Sequence, residues 1–282
     1  MPVLVVVGYG QRRLSTRDGT TWTLLEKTPN GGDDNDLFRG VTFANGRFVA
    51  VGGSSVSLTM VSTDGSTWTT GGSGNAWLGG AANLGSRFVA AGGNGLRVYS
   101  DDGAMTWSAG AGYQSVHYRA VVGNGSTVVA VGHTTDGTNQ GIIASTTDGT
   151  TWTERRHTGA AFGTVAYGNG TFVAAGDSGL VVTSSDGVSW NESTLGSGTG
   201  TVIFDGTRFV LSRGGTIWTS TTAASWTQVT TNGQDVSAAF GGAYFSFGWP
   251  LSVNRSTNFT SWSNVDQPGG SGVTQAVVGY VP

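Results

Sequence analysis

Apolar and polar residues alternate in short runs along the chain, and glycine-rich turns separate the runs. Such runs predict β-strands that face a core on one side only. Asn45-Gly46 and Asp64-Gly65 are typical of tight hairpin turns, because asparagine, aspartate and glycine tolerate positive φ angles. These turns help to separate four predicted strands in the segment 38–70, at residues 38–43, 47–51, 58–63 and 67–70.

The four-strand unit recurs, and each copy places a tryptophan shortly after its last turn. The seven tryptophans are Trp22, Trp68, Trp107, Trp152, Trp190, Trp226 and Trp262. A period near 40 residues with strand-rich units is typical of β-propeller blades. The sequence therefore predicts an all-β fold, in which residues 1–282 form a single seven-bladed propeller of four-stranded antiparallel blades.

The two ends of the chain are complementary. Residues 2–8 match a second strand with no first strand before them, and residues 273–278 match a first strand with no blade after them. We expect the C-terminal strand to complete the N-terminal blade and to place Val281 near Val3. Main-chain hydrogen bonds would then close the ring and leave no free sheet edges.

Composition agrees with an all-β chain and narrows its function. Of 282 residues, 49 are glycine and only 11% are charged, which favours many turns and few helices. The net charge of −3 gives no indication of a nucleic-acid or membrane-surface partner. The absence of cysteine excludes disulfides and thiolate chemistry. We recognise no signal peptide and no membrane-spanning segment in the sequence. We expect a virion or extracellular location. No cofactor is predicted.

The turn before each tryptophan has a recognisable pattern. The segment Ser62-Thr63-Asp64-Gly65-Ser66-Thr67-Trp68-Thr69 resembles the Asp-box, the bacterial neuraminidase repeat written Ser-x-Asp-x-Gly-x-Thr-Trp. The resemblance implies a structural role, in which the aspartate accepts backbone hydrogen bonds and the tryptophan packs against the blade. Thr222 and Asn258 replace the aspartate in the last two copies. The aspartates are Asp18, Asp64, Asp102, Asp148 and Asp186.

The same resemblance raises the question of sialidase activity, which we expect to be absent. Sialidases of the Asp-box family use an arginine triad, a Tyr–Glu pair and an Asp acid on a six-bladed ring, with a Phe/Tyr-Arg-Ile-Pro motif. Residues 38–41 read Phe-Arg-Gly-Val and lack the Ile-Pro. Glu26, Glu154 and Glu192 fall on predicted outer strands, far from a central site. We therefore predict a protein that is not an enzyme.

Metal chemistry is also not predicted. We expect His117, His133 and His157 to come from three different blades, with no metal-ligand spacing. The acidic stretch with Asp33, Asp34 and Asp36 could hold Ca²⁺, but it lacks calcium-loop spacing and favours a solvated loop.

Binding is expected on the face with the longer, more variable connections. The longest connections are predicted at residues 28–36, 53–57, 133–141 and 247–254. Exposed tryptophan and tyrosine anchor protein partners or stack on sugars, although Trp77 and Tyr118 also fit core positions at the start of inner strands. The candidate binding residues are Trp249, Trp77, Tyr113, Tyr118, His133 and Asp136.

Three non-enzymatic functions remain open. The leading hypothesis is a phage virion module, in the tail or attached to the capsid, that binds virion subunits or a host surface. A second is a bacterial lectin that binds surface glycans. A third is an assembly factor resembling the photosystem II assembly propellers, which display an arginine patch; here Arg12, Arg13 and Arg17 cluster. Either the variable face or the central channel could carry the site.

Overall fold

The computed structural model describes residues 1–27, 34–110, 115–270 and 272–281. Its strands form seven four-stranded antiparallel sheets, which are the blades of one ring. The predicted all-β seven-bladed propeller is therefore confirmed. No helix in these ranges is both long and apolar enough to span a membrane.

Blades are numbered from the N terminus, and the first four contain the following strands. Blade 1 has β1 (Pro2–Gly8), β2 (Arg13–Thr16) and β3 (Thr23–Leu25). Blade 2 has β4 (Phe38–Ala44), β5 (Arg47–Gly53), β6 (Ser57–Ser62) and β7 (Thr69–Thr70). Blade 3 has β8 (Leu78–Leu84), β9 (Arg87–Gly92), β10 (Arg97–Ser100) and β11 (Ser108–Ala109). Blade 4 has β12 (Val116–Gly123), β13 (Val128–Thr134), β14 (Gly141–Thr146) and β15 (Thr153–Thr158).

The remaining strands complete the ring. Blade 5 has β16 (Phe162–Gly168), β17 (Thr171–Gly176), β18 (Leu180–Ser184) and β19 (Asn191–Thr194). Blade 6 has β20 (Thr201–Phe204), β21 (Phe209–Arg213), β22 (Thr216–Ser220) and β23 (Thr227–Thr230). Blade 7 has β24 (Ala238–Phe240), β25 (Ala243–Phe247), β26 (Val253–Ser256) and β27 (Ser263–Asp266), and β28 (Val273–Tyr280) returns to blade 1. Short 3₁₀ turns lie at Tyr9–Gln11, Asp34–Asp36, Gly93–Gly95 and Asp177–Gly179.

The ring closes as predicted, because β28 is the inner strand of blade 1 and pairs with β1. Val3 lies opposite Gly279, and Val281 donates its N–H to the carbonyl oxygen of Met1 at 2.9 Å. Val3 and Val281 also pack in the same hydrophobic cluster. The two ends of the chain are thus joined by backbone hydrogen bonds and by apolar packing.

A buried arginine adds a polar link to this closure. Arg12 is 1% exposed and donates from Nε to Glu26 Oε2 at 2.9 Å. Its Nη1 donates to the carbonyl oxygen of Gly269 at 2.5 Å, in the connection that precedes β28. Glu26, which lies next to the outer strand β3, thus pairs with a buried cation.

The hydrophobic core consists of seven clusters, one between each pair of neighbouring blades. Each cluster receives one half-buried motif tryptophan, as Trp68 packs beside Phe48 between blades 1 and 2. The others are Trp22, Trp107, Trp152, Trp190, Trp226 and Trp262. The repeated tryptophan is therefore the residue with which each blade packs against the preceding one.

The repeated turn has the hydrogen bonds expected from its sequence. Asp64 Oδ1 accepts the backbone N–H groups of Ser66 and Thr67, both at 2.7 Å, while Ser62 Oγ accepts that of Gly65 at 2.8 Å. Burial raises the pKa of the Asp64 carboxyl, but these backbone hydrogen bonds outweigh it and the net pKa is lowered. Asn258 makes the equivalent contacts in blade 7, at 3.0 and 2.8 Å. The turn therefore works with a neutral amide as well as with a carboxylate.

The ring is packed most tightly between blades 2, 3 and 4, where glycines let the inner strands meet backbone to backbone. A Cβ on Gly79 would lie 2.1 Å from the carbonyl oxygen of Tyr118, and one on Gly40 would lie 2.8 Å from Gly80 Cα. In the adjoining blade 5, by contrast, a Cβ on Gly163 would meet only a methyl group at 3.8 Å. The central cavity, of about 480 Å³, accordingly lies against blades 4 to 7 and blade 1, with one residue from blade 2.

Candidate functional site

The inner strands share a β-bulge at the end of the central channel that carries the longer connections, here called the variable face. The register shifts there in five blades, leaving one extra residue in each inner strand. Bulges of this kind redirect a side chain away from the regular pleat. The extra residues are Arg39, Gly79, Arg119, Gly163 and Thr274.

Two of these bulge residues give the cavity its charge. Arg39 and Arg119 line the cavity together with apolar and neutral polar residues, and no acidic residue lines it among the described residues. Arg39 is half-buried and donates from Nε to the carbonyl oxygen of Gly53 at 3.1 Å, while Arg119 is exposed. The channel mouth on the variable face is therefore electropositive.

Three aromatic rings connect these arginines. The Arg39 guanidinium lies over the ring of Trp77, with 4.7 Å from Cζ to the ring centroid. The Trp77 and His117 centroids are 5.2 Å apart, and those of His117 and His133 are 5.5 Å apart. Arg119 completes the line by donating from Nε to His133 Nδ1 at 3.1 Å. These five residues are called the basic row below.

Both histidines of the row are held as neutral hydrogen-bond acceptors at Nδ1. His117 Nδ1 accepts the backbone N–H of Asn94 at 3.1 Å, just as His133 Nδ1 accepts from Arg119. Burial, and then the positive charge of Arg119, lower the pKa of each ring. A neutral imidazole that accepts at Nδ1 carries its proton on Nε2. The row therefore consists of N–H donors, which suit carboxylate and other anionic acceptors.

The histidines correct one expectation from the sequence. His117, His133 and His157 do not come from three blades: all lie in blade 4, on β12, β13 and β15. His117 and His133 are direct cross-strand partners in the register of that blade. Because β12 and β13 form a hairpin, residues sixteen positions apart in sequence become neighbours. Among the described residues, no group of three or more metal-ligating side chains is found.

The other candidates are placed differently. Trp77 and His133 belong to the basic row, and Trp249 is 67% exposed with its ring edge-on to Tyr9, 5.4 Å between centroids. Asp136 is exposed, but its Oδ1 already accepts from the Thr134 hydroxyl at 2.9 Å and from the N–H of residue 138 at 3.0 Å. Among the described candidates, Trp77, His133 and Trp249 present ring groups to a partner, whereas Asp136 Oδ1 is already used within its own turn.

Tyr118 is removed from the candidate binding residues. Its side chain is fully buried and stacks on Trp152, with 6.3 Å between ring centroids. Burial raises the pKa of its hydroxyl to about 12. The ring thus fills the core between blades 3 and 4, which is the alternative position considered from the sequence.

The remaining candidates lie partly outside the described residues. Tyr113, Asp33 and the side chain of Asp34 are in that part of the chain. Asp36 is described, and its Oδ1 accepts from Lys27 Nζ at 2.9 Å and from Gln11 Nε2 at 3.0 Å. That carboxylate forms an ion pair within the protein.

Sequence reasoning did not select Arg39, Arg119 or His117 for the site. A signal exists, because the segments Phe38-Arg39-Gly40 and Tyr118-Arg119-Ala120 place an arginine after an aromatic residue at equivalent repeat positions. Its meaning depends on the bulge, which alternation of apolar and polar residues does not predict.

No protein-family model and no curated protein matches the chain, but solved structures do. A putative 6-phosphogluconolactonase from Bacteroides fragilis aligns with a TM-score of 0.67 at 11% identity, covering 98% of this chain and 97% of that one. YCF48 bound to a D1 peptide aligns with a TM-score of 0.59 at 17% identity, covering 99% and 89%. YCF48 from Cyanidioschyzon merolae gives 0.61 at 15% identity, covering 89% and 97%. At these identities the similarity shows the propeller fold alone.

Proposed function

We propose that this chain is a non-enzymatic binding module that holds an extended, acidic segment of a protein partner at the channel mouth on its variable face. The observation that carries the proposal is the basic row. Five donor-bearing side chains form a continuous line beside a cavity whose described lining has two positive charges and no negative one. Such a surface favours carboxylates and disfavours cationic segments.

The shape of the site supports a narrow ligand. A cavity of about 480 Å³ opens between inner strands and has apolar walls, including Tyr167 and Ile203. An extended segment can place carboxylates on Arg39 and Arg119 and apolar side chains against the wall. The exposed Trp249 would offer a further contact at the rim, since partly exposed tryptophans are frequent binding hot spots. YCF48, which has a similar fold, has been solved with a bound D1 peptide.

The test uses fluorescence anisotropy with labelled short peptides in which serine alternates with aspartate, lysine or asparagine. We expect the aspartate peptide alone to bind, and the double substitution Arg39→Ala and Arg119→Ala to weaken it about tenfold, or about 1.4 kcal/mol. Arg47→Ala is the matched control, because this arginine lies at the opposite end of the blade. Equal binding of all three peptides, or unchanged affinity in the double variant, would refute the proposal.

A lectin remains the second candidate, on the strength of the exposed Trp249. In that case a glycan array would give signals that Trp249→Ala abolishes, while the aspartate peptide would not bind. The phage virion location stays a prediction from the sequence. Neighbouring genes for tail or capsid proteins would support it and would argue against an assembly factor.

A further inference from the structure

A second cavity, of about 680 Å³, opens on the face opposite to the basic row. It lies where the β20–β21 and β24–β25 turns meet the first motif turn and the paired ends of β1 and β28. Its floor is shared with the central cavity through Phe204, Ala239 and Val278. Its rim and its charges are its own.

The walls of this cavity are aromatic. Phe204 is half-buried, and Tyr244 is 8% exposed and stacks on Phe259 with 4.0 Å between centroids. Tyr280, by contrast, is 72% exposed at the edge. The turns contribute Gly241 and Gly242 at φ of 57° and 75°, and a Cβ on either would meet nothing within 4 Å. Aromatic rings therefore form part of the cavity wall, and the β24–β25 turn brings no side chains to the rim.

The charged residues at this cavity differ in their hydrogen bonds and ion pairs. Asp18 Oδ1 accepts the backbone N–H groups of residues 20 and 21 at 2.8 and 2.7 Å. Asp205 Oδ2 accepts from the Tyr244 hydroxyl at 2.8 Å and from Arg208 Nε at 3.2 Å. Arg17 also lines the cavity, is exposed, and has no hydrogen bond or ion pair with the described residues. Asp18 keeps its negative charge, and among the described charged residues of the lining Arg17 is the one whose guanidinium N–H donors are open to a ligand.

We infer that this cavity binds a small aromatic or apolar molecule that carries a single anionic group. Sites for small ligands typically have volumes of about 300–1,000 Å³, mostly apolar walls and a few directed polar groups. Here the rings would enclose the apolar body, and Arg17 would pair with the anion at the rim. The inference does not rest on the proposed function: the two cavities share Phe204, Ala239 and Val278, but they open on opposite faces and use different arginines.

Two fluorescent probes test the inference on the intact chain. Anilinonaphthalene sulfonate combines aromatic rings with one anionic group, and N-phenylnaphthylamine is its neutral analogue. We expect both to bind in fluorescence titrations, with Tyr280→Ala weakening both. Arg17→Ala should weaken only the sulfonate, by about threefold to fivefold, as befits a partly exposed ion pair. Arg47→Ala, on the same face but away from the cavity, should change neither.

Each other outcome contradicts part of the inference. Failure of both probes to bind would overturn it, as would binding that neither Tyr280→Ala nor Arg17→Ala alters. Equal weakening of both probes by Arg17→Ala would overturn the anionic assignment. Near-ultraviolet circular dichroism of each variant confirms that the fold is intact. Affinity for the aspartate peptide should be unchanged in Arg17→Ala, which separates this test from that of the basic row.

Discussion

Because blades 3 and 4 are in tight contact, a glycine-to-alanine substitution should have opposite effects on stability at two equivalent positions. Gly79 and Gly163 are both the extra residue of an inner-strand bulge. At Gly79 an added Cβ would lie 2.1 Å from the Tyr118 oxygen, and backbone within a paired strand cannot move aside alone. Gly79→Ala should therefore cost about 3 kcal/mol, the upper end of typical overpacking.

Gly163→Ala is the matched control. Its Cβ would make one ordinary contact at 3.8 Å, so we expect no loss of stability and a gain of about 0.4–1 kcal/mol from a less flexible unfolded chain. Urea unfolding followed by tryptophan fluorescence measures both values. Gly79→Ala should also weaken the aspartate peptide, because Arg119 follows the displaced Tyr118. A Gly79→Ala protein within about 0.5 kcal/mol of the parent, or an equal loss for Gly163→Ala, would refute the reasoning.

Other changes test the turns, the ring closure and the basic row. Asp64→Ala should lower the free energy of unfolding by about 1–2 kcal/mol, as loss of a helix N-cap does, whereas Asp64→Asn should cost less than about 0.5 kcal/mol. Hydrogen bonds from Thr106 lower the pKa of Asp102 to about 2. The contribution of this carboxylate to the free energy of unfolding should therefore be complete above about pH 4 and be lost as the pH falls towards 2. A free energy of unfolding that does not change over this pH range would contradict the prediction. Arg12→Met should lower the free energy of unfolding in urea by about 3 kcal/mol, because it leaves the acceptors of this buried arginine unpaired. The exposed Arg17→Met should lower it by less than about 0.5 kcal/mol. Since the lowered pKa keeps His133 neutral near pH 7, acidification below the ordinary histidine pKa of about 6.5 should tighten binding of the aspartate peptide, and less so in His133→Gln.

Much of the architecture follows from local and periodic features. A tryptophan every 36 to 46 residues marks the blades, and paired turn residues mark the hairpins. The unmatched strands at the two ends predict the closure that β1 and β28 make. These features are readable because each depends on residues close in sequence or repeated at a regular interval.

The composition of the site is less accessible from the sequence. Arg39 and Arg119 are eighty positions apart and lie at one channel mouth because equivalent bulges occur in β4 and β12. Trp77 comes from the connection between blades 2 and 3, and reaches His117 through close packing of inner strands. Tyr118 shows the same effect of the bulge. Its side chain, just before the bulge, is buried in the core, whereas that of Arg119 at the bulge is exposed.

The sequence by itself thus determined the all-β class, the seven blades and the shared first blade. Tertiary structure alone decided that the central cavity lies against blades 4 to 7 and blade 1. It also decided that His117 and His133 are cross-strand partners and that the basic row is continuous. The physical reason is that blade number depends on local turn chemistry and period. The site depends on register shifts and on backbone contacts at Gly79 and Gly40, which arise only when neighbouring blades pack together.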